Sequence, residues 1–310
     1  MTVFLIILAV LAATVLITSA VCFYMVFYSS RRKHEDDSPI PDSKIYEAYR
    51  EEMAAWIKAA DAMPYKRVSI RSFDGLTLRG RYFEYSKDAP IELLMHGYRG
   101  SSRRDLSGGV ARCFELGHSA LIVDHRGSGE SDGRVITFGI NESRDCADWV
   151  DFIIKEIKPD AKIILTGISM GAATVLITSA RELPPNVIGV LADCGYTSAR
   201  QIIKKVMRDM KLPPDVFYPF IKLGARIFGR FDVDETSPVE AMASCRLPVI
   251  FFHGDTDDFV PHEMSAANFA ACVSANKRLV TTRGAGHGLC FPVDRDTYIA
   301  ELRTFFDPLV

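Results

Sequence analysis

The first pattern in the chain is an uninterrupted apolar run. Residues 2–30 contain no charged side chain and consist mostly of Leu, Ile, Val, Ala and Phe. A helix of this length rises roughly 40 Å at about 1.5 Å per residue, more than the ~30 Å hydrocarbon core of a bilayer. A cleaved signal peptide would have a basic n-region and a shorter apolar core. The pattern therefore predicts a retained transmembrane anchor over residues 2–30.

Three basic residues, Arg31, Arg32 and Lys33, follow this run, and nothing basic precedes it. Lys and Arg close to a membrane span favour the cytoplasmic side, whereas acidic residues contribute little to orientation. We therefore expect a single-pass membrane protein whose C-terminal domain lies in the cytoplasm.

Residues 31–64 form a juxtamembrane segment. Its first part, 38–43, holds two prolines among polar residues and predicts a stiff linker. Apolar residues then recur at helical spacing from Lys44 to Met63 and predict a helix packed on the following domain. The alternative is an interfacial helix lying on the membrane, although Glu47, Glu51 and Glu52 would be repelled by anionic lipid.

From residue 65 the spacing changes to short apolar runs that alternate with helical periods. Runs 68–71 and 76–83 flank Asp74-Gly75, which predicts an antiparallel hairpin. The remaining predicted strands are 91–95, 120–124, 162–166, 187–192, 249–252 and 278–282, and the intervening helices are 103–116, 142–157, 172–182, 263–274 and 295–306. Alternation of this kind predicts an α/β domain over 65–310, with a mostly parallel eight-stranded sheet covered by helices on both faces.

One interruption breaks this alternation after the sixth strand. Residues 197–244 show helical periods separated by Pro213-Pro214 and no strand pattern. We expect an inserted helical cap at this position.

Composition narrows the possible functions. The 310 residues are 48% hydrophobic and 25% charged, which is ordinary for one large domain with an appendage. A net charge of −2, without a basic patch, argues against nucleic acid as the main partner. The seven cysteines are scattered singly, without a C-x-x-C pair or a Cys/His cluster, so we expect no disulfide and no metal site.

The strongest chemical motif is Gly167-Ile168-Ser169-Met170-Gly171, between a predicted strand and a predicted helix. This G-x-S-x-G pattern in this context is typical of a nucleophile elbow. Gly167 and Gly171 would leave room for the sharp turn, Ser169 would project from the sheet, and the Met170 amide could stabilise an oxyanion. The alternative is a glycine-rich turn with a capping serine.

A nucleophilic serine needs a general base and an acid that orients it. Three histidines lie downstream of Ser169. His253 ends a strand and His262 opens a helix, whereas His287 lies in the glycine-rich loop Gly284–Gly288 before the last helix, so His287 is the predicted base. The acid stays open at this point between the carboxylates at 255–258 and Asp193, each at the carboxyl end of a strand.

From about residue 68 onward the chain resembles an α/β-hydrolase of the serine aminopeptidase and monoglyceride-lipase-like branch, in which small membrane-anchored bacterial hydrolases are found. The residues that carry the resemblance are His96-Gly97-Tyr98, Asp124 to Ser131, the elbow, His253-Gly254 with Asp257 and Val260-Pro261, and Gly286-His287-Gly288.

This resemblance implies functional roles. The family pattern H-G-x-x-D-x-x-V-P implies that Asp257 is the catalytic acid, and that the Tyr98 amide forms the oxyanion hole with that of Met170. Asp124 and Arg126 have no catalytic role in the pattern, and we expect them to hold the active-site face together. The implied mechanism needs no metal and no organic cofactor.

The sequence as a whole therefore predicts a membrane-anchored serine hydrolase that cleaves carboxylic esters, with lipid-like acyl substrates favoured by the anchor and the apolar cap. A serine aminopeptidase, a thioesterase or an acyltransferase could use the same triad. A protein of the same fold that binds without turnover remains the alternative from a different class.

Overall fold

The computed structural model describes residues 1–30, 40 and 44–310. The three basic residues at 31–33 and all of the predicted linker at 38–43 except Ile40 lie outside the described residues.

Eight strands form a single sheet. The strands are β1 (Lys66–Arg71), β2 (Thr77–Phe83), β3 (Ile91–Met95), β4 (Ser119–Val123), β5 (Ile163–Ile168), β6 (Val187–Asp193), β7 (Val249–Gly254) and β8 (Lys277–Thr282). Their spatial order is β1-β2-β4-β3-β5-β6-β7-β8. The pairs β1–β2 and β2–β4 are antiparallel and the others are parallel. The predicted fold class is confirmed.

Helices cover both faces of this sheet, and every residue of β3, β4 and β7 is buried. Those of the sheet domain are α3 (Ser102–Leu116), α4 (Ile140–Phe152), α5 (Met170–Thr178), α9 (His262–Ala271), α10 (Cys290–Val293) and α11 (Arg295–Phe306), with a π-helical turn, Ile153–Ile157, after α4. Helix α5 starts at Met170, two residues before its predicted start, because the sharp turn at Ser169 leads directly into it.

The juxtamembrane helix packs on this domain. A 3-10 turn, Lys44–Tyr49, leads into α2 (Arg50–Ala62). The Trp56 ring lies 5.3 Å from that of Phe291, centroid to centroid, and Gly108 of α3 leaves room for the indole. Of the two interpretations of this helix, the structure therefore agrees with the packed one.

The cap consists of three helices, α6 (Ala199–Asp209), α7 (Pro214–Gly224) and α8 (Pro238–Met242), with a π-helical turn, Ala225–Gly229, after α7. It occupies the predicted interval between β6 and β7. Its apolar cluster includes Ile202, Ile203 and Ile221, and extends to Met170 and Val260 beside the carboxyl ends of the strands.

The N-terminal helix, α1, runs from Thr2 to Val26, four residues short of the predicted end of the apolar segment. Residues 2–17 are exposed, whereas Ser19, Phe23 and Phe27 are buried against the cap. A Cβ on Gly224 would lie 2.4 Å from the Ser19 carbonyl oxygen, so the backbones of α1 and α7 meet at van der Waals distance. The last two turns of α1 are therefore part of the folded body.

A buried ionic network ties the centre of the sheet to α3. Glu92 on β3 and Arg112 on α3 form a direct ion pair and are 2% and 3% exposed. His118 Nδ1 donates to Glu92 Oε1 at 2.9 Å, and the Thr166 hydroxyl donates to Glu92 Oε2 at 2.8 Å. Burial opposes ionisation of Glu92, but Arg112 and these donors outweigh it and lower its pKa from 4.5 to about 2.

Glu92→Gln should lower the free energy of unfolding by about 3–5 kcal/mol at neutral pH, because Arg112 would stay buried without its counter-charge. Since the pKa of Glu92 is lower in the folded state, its contribution is complete above pH 4.5 and is lost as the pH falls toward about 2. Denaturant unfolding of the full chain in detergent would measure the difference. Glu84→Gln is the control, because Glu84 pairs with Lys66 at the surface. This substitution should lower the free energy of unfolding by less than about 1 kcal/mol. Equal losses in both variants would contradict the prediction.

Candidate active site

Ser169 lies at the sharp turn between β5 and α5, with φ 56° and ψ −117°. These backbone angles are energetically unfavourable for any residue other than glycine. A Cβ on Gly167 would lie 2.1 Å from the Gly171 carbonyl oxygen, and a Cβ on Gly171 would lie 2.0 Å from that of Met95. Both glycines are therefore required by close backbone contacts, and the turn has the geometry expected of a nucleophile elbow.

The structure brings Ser169, His287 and Asp257 together. His287 Nε2 lies 2.9 Å from Ser169 Oγ, and His287 Nδ1 lies 2.7 Å from Asp257 Oδ2. All three residues are at most 9% exposed. Because a carboxylate only accepts, Nδ1 carries the proton and Nε2 is free to accept the Ser169 hydroxyl proton. This arrangement can transfer a proton away from Ser169.

Asp257 is held in its charged form by several donors. The amides of Phe259 and Val260 donate to Oδ1 at 3.0 and 2.8 Å, and His253 Nε2 lies 3.2 Å from Oδ2. Burial alone would raise the pKa of Asp257, but the hydrogen bonds from His253, His287 and Val260 outweigh it and hold that pKa well below its usual value. The carboxylate is therefore ionised at neutral pH and oriented toward His287.

The other candidates have different surroundings. Asp193 Oδ2 accepts from the Tyr298 hydroxyl at 3.0 Å, and Asp193 Oδ1 has no partner among the described residues. Burial raises the pKa of Asp193. Asp255 accepts from the Gly284 amide at 2.6 Å, in the turn before the histidine loop. His262 Nε2 lies 2.8 Å from the Thr281 hydroxyl, away from Ser169. The geometry thus favours Asp257 over Asp193 as the partner of His287.

His253 contacts Asp257 in the structure, although the sequence alone assigned it no role. Its Nε2–H is bonded to the Val260 carbonyl at 2.7 Å and lies beside Asp257, while Nδ1 lies 2.6 Å from the Ser265 hydroxyl. The residue is fully buried. Its position in the His253-Gly254 motif was the available signal, but nothing local indicated that the ring orients the acid.

Two backbone amides point to an oxyanion site. Met170 begins α5, so its amide has no partner inside the helix. Gly97 lies against Ser169, since a Cβ on Gly97 would be 3.6 Å from that of Ser169, and Tyr98 follows it. For the residues that the structure describes, no acceptor is recorded for the Tyr98 or the Met170 amide. Both are available to a developing negative charge.

A buried pair of histidines supports the loop that carries Tyr98. The His125 amide donates to His96 Nε2 at 3.1 Å, so His96 Nδ1–H donates to the Gly97 carbonyl at 2.7 Å. His125 Nε2–H donates back to the His96 carbonyl at 3.0 Å. Burial lowers the pKa of His96 to about 4 and that of His125 to about 3, so both rings are neutral at physiological pH. The pair joins this loop to the end of β4.

Asp124 and Arg126 make structural contacts. Asp124 accepts from the amides of Ser102 and Glu130 at 2.8 and 2.9 Å. Arg126 pairs with Asp145 at 2.7 Å and with Asp74 at 2.8 Å. These bonds hold the loop after β4 against its neighbours, in agreement with the structural role expected for both residues.

The N-terminal segment also reaches the site. The Tyr46 hydroxyl, in the 3-10 turn before α2, donates to the His287 carbonyl at 3.4 Å. Burial raises the pKa of Tyr46 to about 12, so the hydroxyl stays protonated. On the other side, the exposed Phe259 ring lies edge-on to His287 at 5.0 Å. Nothing in the sequence indicated that Tyr46 or Phe259 would lie beside His287.

One group of possible metal ligands is found in the described part of the chain. Cys194 Sγ, Asp257 and His287 have ligand atoms within 4.8 Å of one another. Both ring nitrogens of His287 are already bonded to Asp257 and Ser169, and burial raises the pKa of Cys194 well above its usual value. A metal ligand would be a thiolate and an unprotonated imidazole nitrogen. The site therefore fits a proton relay better than a metal centre.

Comparison with known proteins agrees with this architecture. Residues 93–227 match the model of a family described as alpha/beta hydrolase fold. The chain is 25% identical over 195 residues to the uncharacterized protein YqkD of Bacillus subtilis, covering 63% of this chain and 64% of YqkD. It is 29% identical over 235 residues to the uncharacterized protein Rv2307c of Mycobacterium tuberculosis, covering 74% and 75% of the two chains.

Among solved structures, the esterase Pf2001 of Pyrococcus furiosus superposes with a TM-score of 0.65 at 21% identity, over 81% of this chain and 95% of that one. The sheet order, the elbow and the family match lead to one conclusion. This chain has the α/β-hydrolase fold, and its central part is similar to the alpha/beta hydrolase family.

Proposed function

We propose that this protein is a membrane-anchored serine hydrolase that cleaves carboxylic esters through an acyl-enzyme. The observation that carries the proposal is the hydrogen-bonded series Ser169–His287–Asp257 beside the free amides of Tyr98 and Met170. A nucleophile, a base, an orienting acid and an oxyanion site are the four parts that acyl transfer requires.

In the acylation step, Ser169 Oγ attacks the ester carbonyl carbon and its proton passes to His287 Nε2. Asp257 stabilises the resulting imidazolium through Nδ1–H. The carbonyl oxygen takes up negative charge and accepts from the amides of Tyr98 and Met170. When the tetrahedral intermediate collapses, the C–O bond to the alcohol breaks and His287 gives its proton to the leaving oxygen.

Deacylation repeats the sequence with water. His287 Nε2 accepts a proton from the water as its oxygen attacks the acyl carbon, and the same amides stabilise the second oxyanion. Collapse breaks the bond to Ser169 Oγ, which recovers its proton from His287. The products are a carboxylic acid and a free enzyme.

The anchor supports an amphiphilic substrate. Helix α1 is long and apolar enough to cross a membrane, and residues 2–17 are exposed along its length. The whole helix would rise roughly 38 Å at about 1.5 Å per residue, more than the ~30 Å hydrocarbon core, and its exposed part accounts for roughly 24 Å. With Arg31, Arg32 and Lys33 after this helix, we propose that the hydrolase domain faces the cytoplasm. Lipid-like acyl esters would then be concentrated at the membrane beside the enzyme.

The apolar surroundings of the site favour an acyl chain. The cap cluster that includes Met170 and Val260 also contains Phe138, whose ring lies 5.0 Å from that of Tyr98. Five apolar cap residues are candidates to line an acyl pocket. Met207 is buried in this cluster, and Phe217 and Phe220 are partly buried, whereas Met210 is 58% exposed and Phe228 packs on Phe23. This apolar side of the site is what favours an acyl substrate.

The aminopeptidase alternative has weaker support. That activity needs a carboxylate to bind the substrate's amino terminus, and the four aspartates of the cap segment 197–244 are all ion-paired. The pairs are Asp209 with Lys205, Asp215 with Lys204, Asp232 with Lys222 and Arg226, and Asp234 with Arg200 and Lys222. Each of these carboxylates already has a cationic partner within the cap.

The proposal is tested with the full chain in detergent. A fluorophosphonate probe should label it, and peptide mapping should place the adduct on Ser169. Nitrophenyl esters of increasing acyl length, aminoacyl anilides and acyl thioesters would then be compared by kcat/KM. We expect kcat/KM for esters to rise roughly three- to fourfold per methylene until the pocket is filled, since each buried methylene contributes about 0.8 kcal/mol.

Other results would favour a different activity for this protein. Faster cleavage of aminoacyl anilides would favour the peptidase, and faster cleavage of thioesters would favour a thioesterase. Absence of labelling in a folded wild-type protein would contradict the hydrolase proposal and favour a binding protein of the same fold.

A further inference from the structure

We propose that the C-terminal turn of α1 positions residues 97–100, the oxyanion loop, so that this helix is a working part of the active site as well as a tether. The inference rests on the proposed function, because it assigns the Tyr98 amide to the oxyanion site. It is carried by hydrogen bonds between residues 25–28 and the side chains of Tyr98 and Arg99.

The end of a helix leaves its last carbonyl oxygens without partners inside the helix. At the end of α1, carbonyl oxygens of this kind accept hydrogen bonds from the side chains of two adjacent residues of the oxyanion loop, Tyr98 and Arg99. The Tyr98 hydroxyl donates to the Val26 carbonyl at 2.7 Å. The Arg99 guanidinium donates to the carbonyls of Met25 and Tyr28 at 2.8 and 3.3 Å, where its charge also complements the negative end of the helix dipole.

The loop needs this support, because its backbone is strained. Arg99 has φ 54°, in the left-handed region that non-glycine residues seldom adopt. The turn is closed by one bond from the Gly100 amide to the Gly97 carbonyl at 3.1 Å. Tyr98 lies in the middle of this turn, so a small rotation there would move its amide away from the oxyanion.

The helix end itself is firmly held. Phe27 is fully buried, with its ring 5.7 Å from that of Phe138 and 5.1 Å from that of Phe231. The Ile136 amide donates to the Phe27 carbonyl at 2.8 Å, and the Ser29 amide donates to the Arg134 carbonyl at 2.8 Å.

Phe138 connects these contacts to the oxyanion loop, because its ring lies 5.0 Å from the Tyr98 ring, centroid to centroid. One side of the oxyanion loop is therefore formed by α1 and the segment 134–138, which is joined to the end of α1 by a single β-bridge between Tyr28 and Val135. The other side is formed by His96 and His125, described above.

A fragment that lacks α1 would lose these contacts and would expose the faces of Phe138 and Phe231 that Phe27 covers. The test therefore uses the full chain in detergent. Tyr98→Phe removes one hydroxyl and keeps the ring. Tyr24→Phe is the matched control, because Tyr24 lies on the same helix and is 56% exposed. Among the aromatic rings of the described residues, its ring makes edge-on contacts only with Phe23 and Tyr28.

Tyr98→Phe should lower kcat roughly tenfold with KM within about twofold of wild type, because an oxyanion donor acts mainly in the transition state. Affinity for an arylboronic acid, whose tetrahedral adduct on Ser169 mimics that state, should fall by a similar factor. Fluorophosphonate labelling should become slower but reach the same final stoichiometry. Arg99→Gln should show the same changes in kcat, boronate affinity and labelling rate, and Tyr24→Phe should match wild type in all three.

Two results would overturn the inference and leave the proposed function intact. One is a Tyr98→Phe enzyme with wild-type kcat and boronate affinity. The other is a reduced final stoichiometry with an unchanged labelling rate, which would mean only that less protein is folded. A wild-type protein that no probe labels would remove the proposed function and this inference together.

Discussion

Ser169→Ala should lower turnover by about 10⁶-fold and abolish fluorophosphonate labelling, which is the largest effect expected for any single substitution in this chain. Without Oγ no acyl-enzyme forms, and His287 has no hydroxyl to deprotonate. The protein should stay folded, because the Ser169 backbone is held by a hydrogen bond that its amide donates to the Asp193 carbonyl at 2.8 Å. Steady-state kinetics with the best ester of the substrate panel would measure the loss.

The matched control is Ser244→Ala. Ser244 is exposed, and its hydroxyl bonds only to the Ala241 carbonyl among the described residues, so activity and labelling should equal those of wild type. Retention of a tenth of the activity by Ser169→Ala would show that another group carries the reaction.

Asp257→Asn should lower kcat by about 10⁴-fold, the second largest effect. A loss of this size follows the equivalent change in the triad of a serine protease, where the wrong imidazole tautomer is stabilised. Here the amide NH₂ can donate to His287 Nδ1, which places the ring proton on Nε2 and prevents that nitrogen from accepting the Ser169 proton. KM should change little, since Asp257 lies behind His287.

Asp193→Asn separates the two candidate acids. The Asp193 side chain is bonded to Tyr298, so the variant should keep kcat within roughly tenfold of wild type. A larger loss in Asp193→Asn than in Asp257→Asn would reverse the assignment of the acid. Thermal unfolding of both variants would show whether either loss reflects stability.

Much of the fold could be predicted from local pattern. Alternating β and α periods indicated all eight strands, and α11 was predicted at its observed bounds, Arg295–Phe306. These predictions succeed because the periods of strands and helices and the turn at Asp74-Gly75 depend on residues close together in sequence. Helix ends were less accurate, as at α5, because contacts from other parts of the chain decide where a helix starts and stops.

The candidate site was predictable where a motif encodes geometry. The elbow pattern specifies its own turn, since Gly167 and Gly171 are the residues at which a Cβ would meet backbone. The choice between Asp257 and Asp193 required the resemblance to a family, because Asp193 ends β6, Asp257 follows β7, and both strands end at the same edge of the sheet. The roles of His253, His96 and His125 were not predictable, because each acts through a partner that only the folded chain brings near.

By itself, then, the sequence determined the sheet, the inserted cap, the sharp turn at Ser169 and an apolar segment long enough to span a membrane. Only the tertiary structure decided how that segment is divided. Residues 2–17 are exposed, while Phe23 and Phe27 pack against the cap and the carbonyl of Val26 accepts from Tyr98, 72 residues away in the chain. Hydropathy cannot make this division, because a side chain that faces lipid and one that faces an apolar protein surface have the same character.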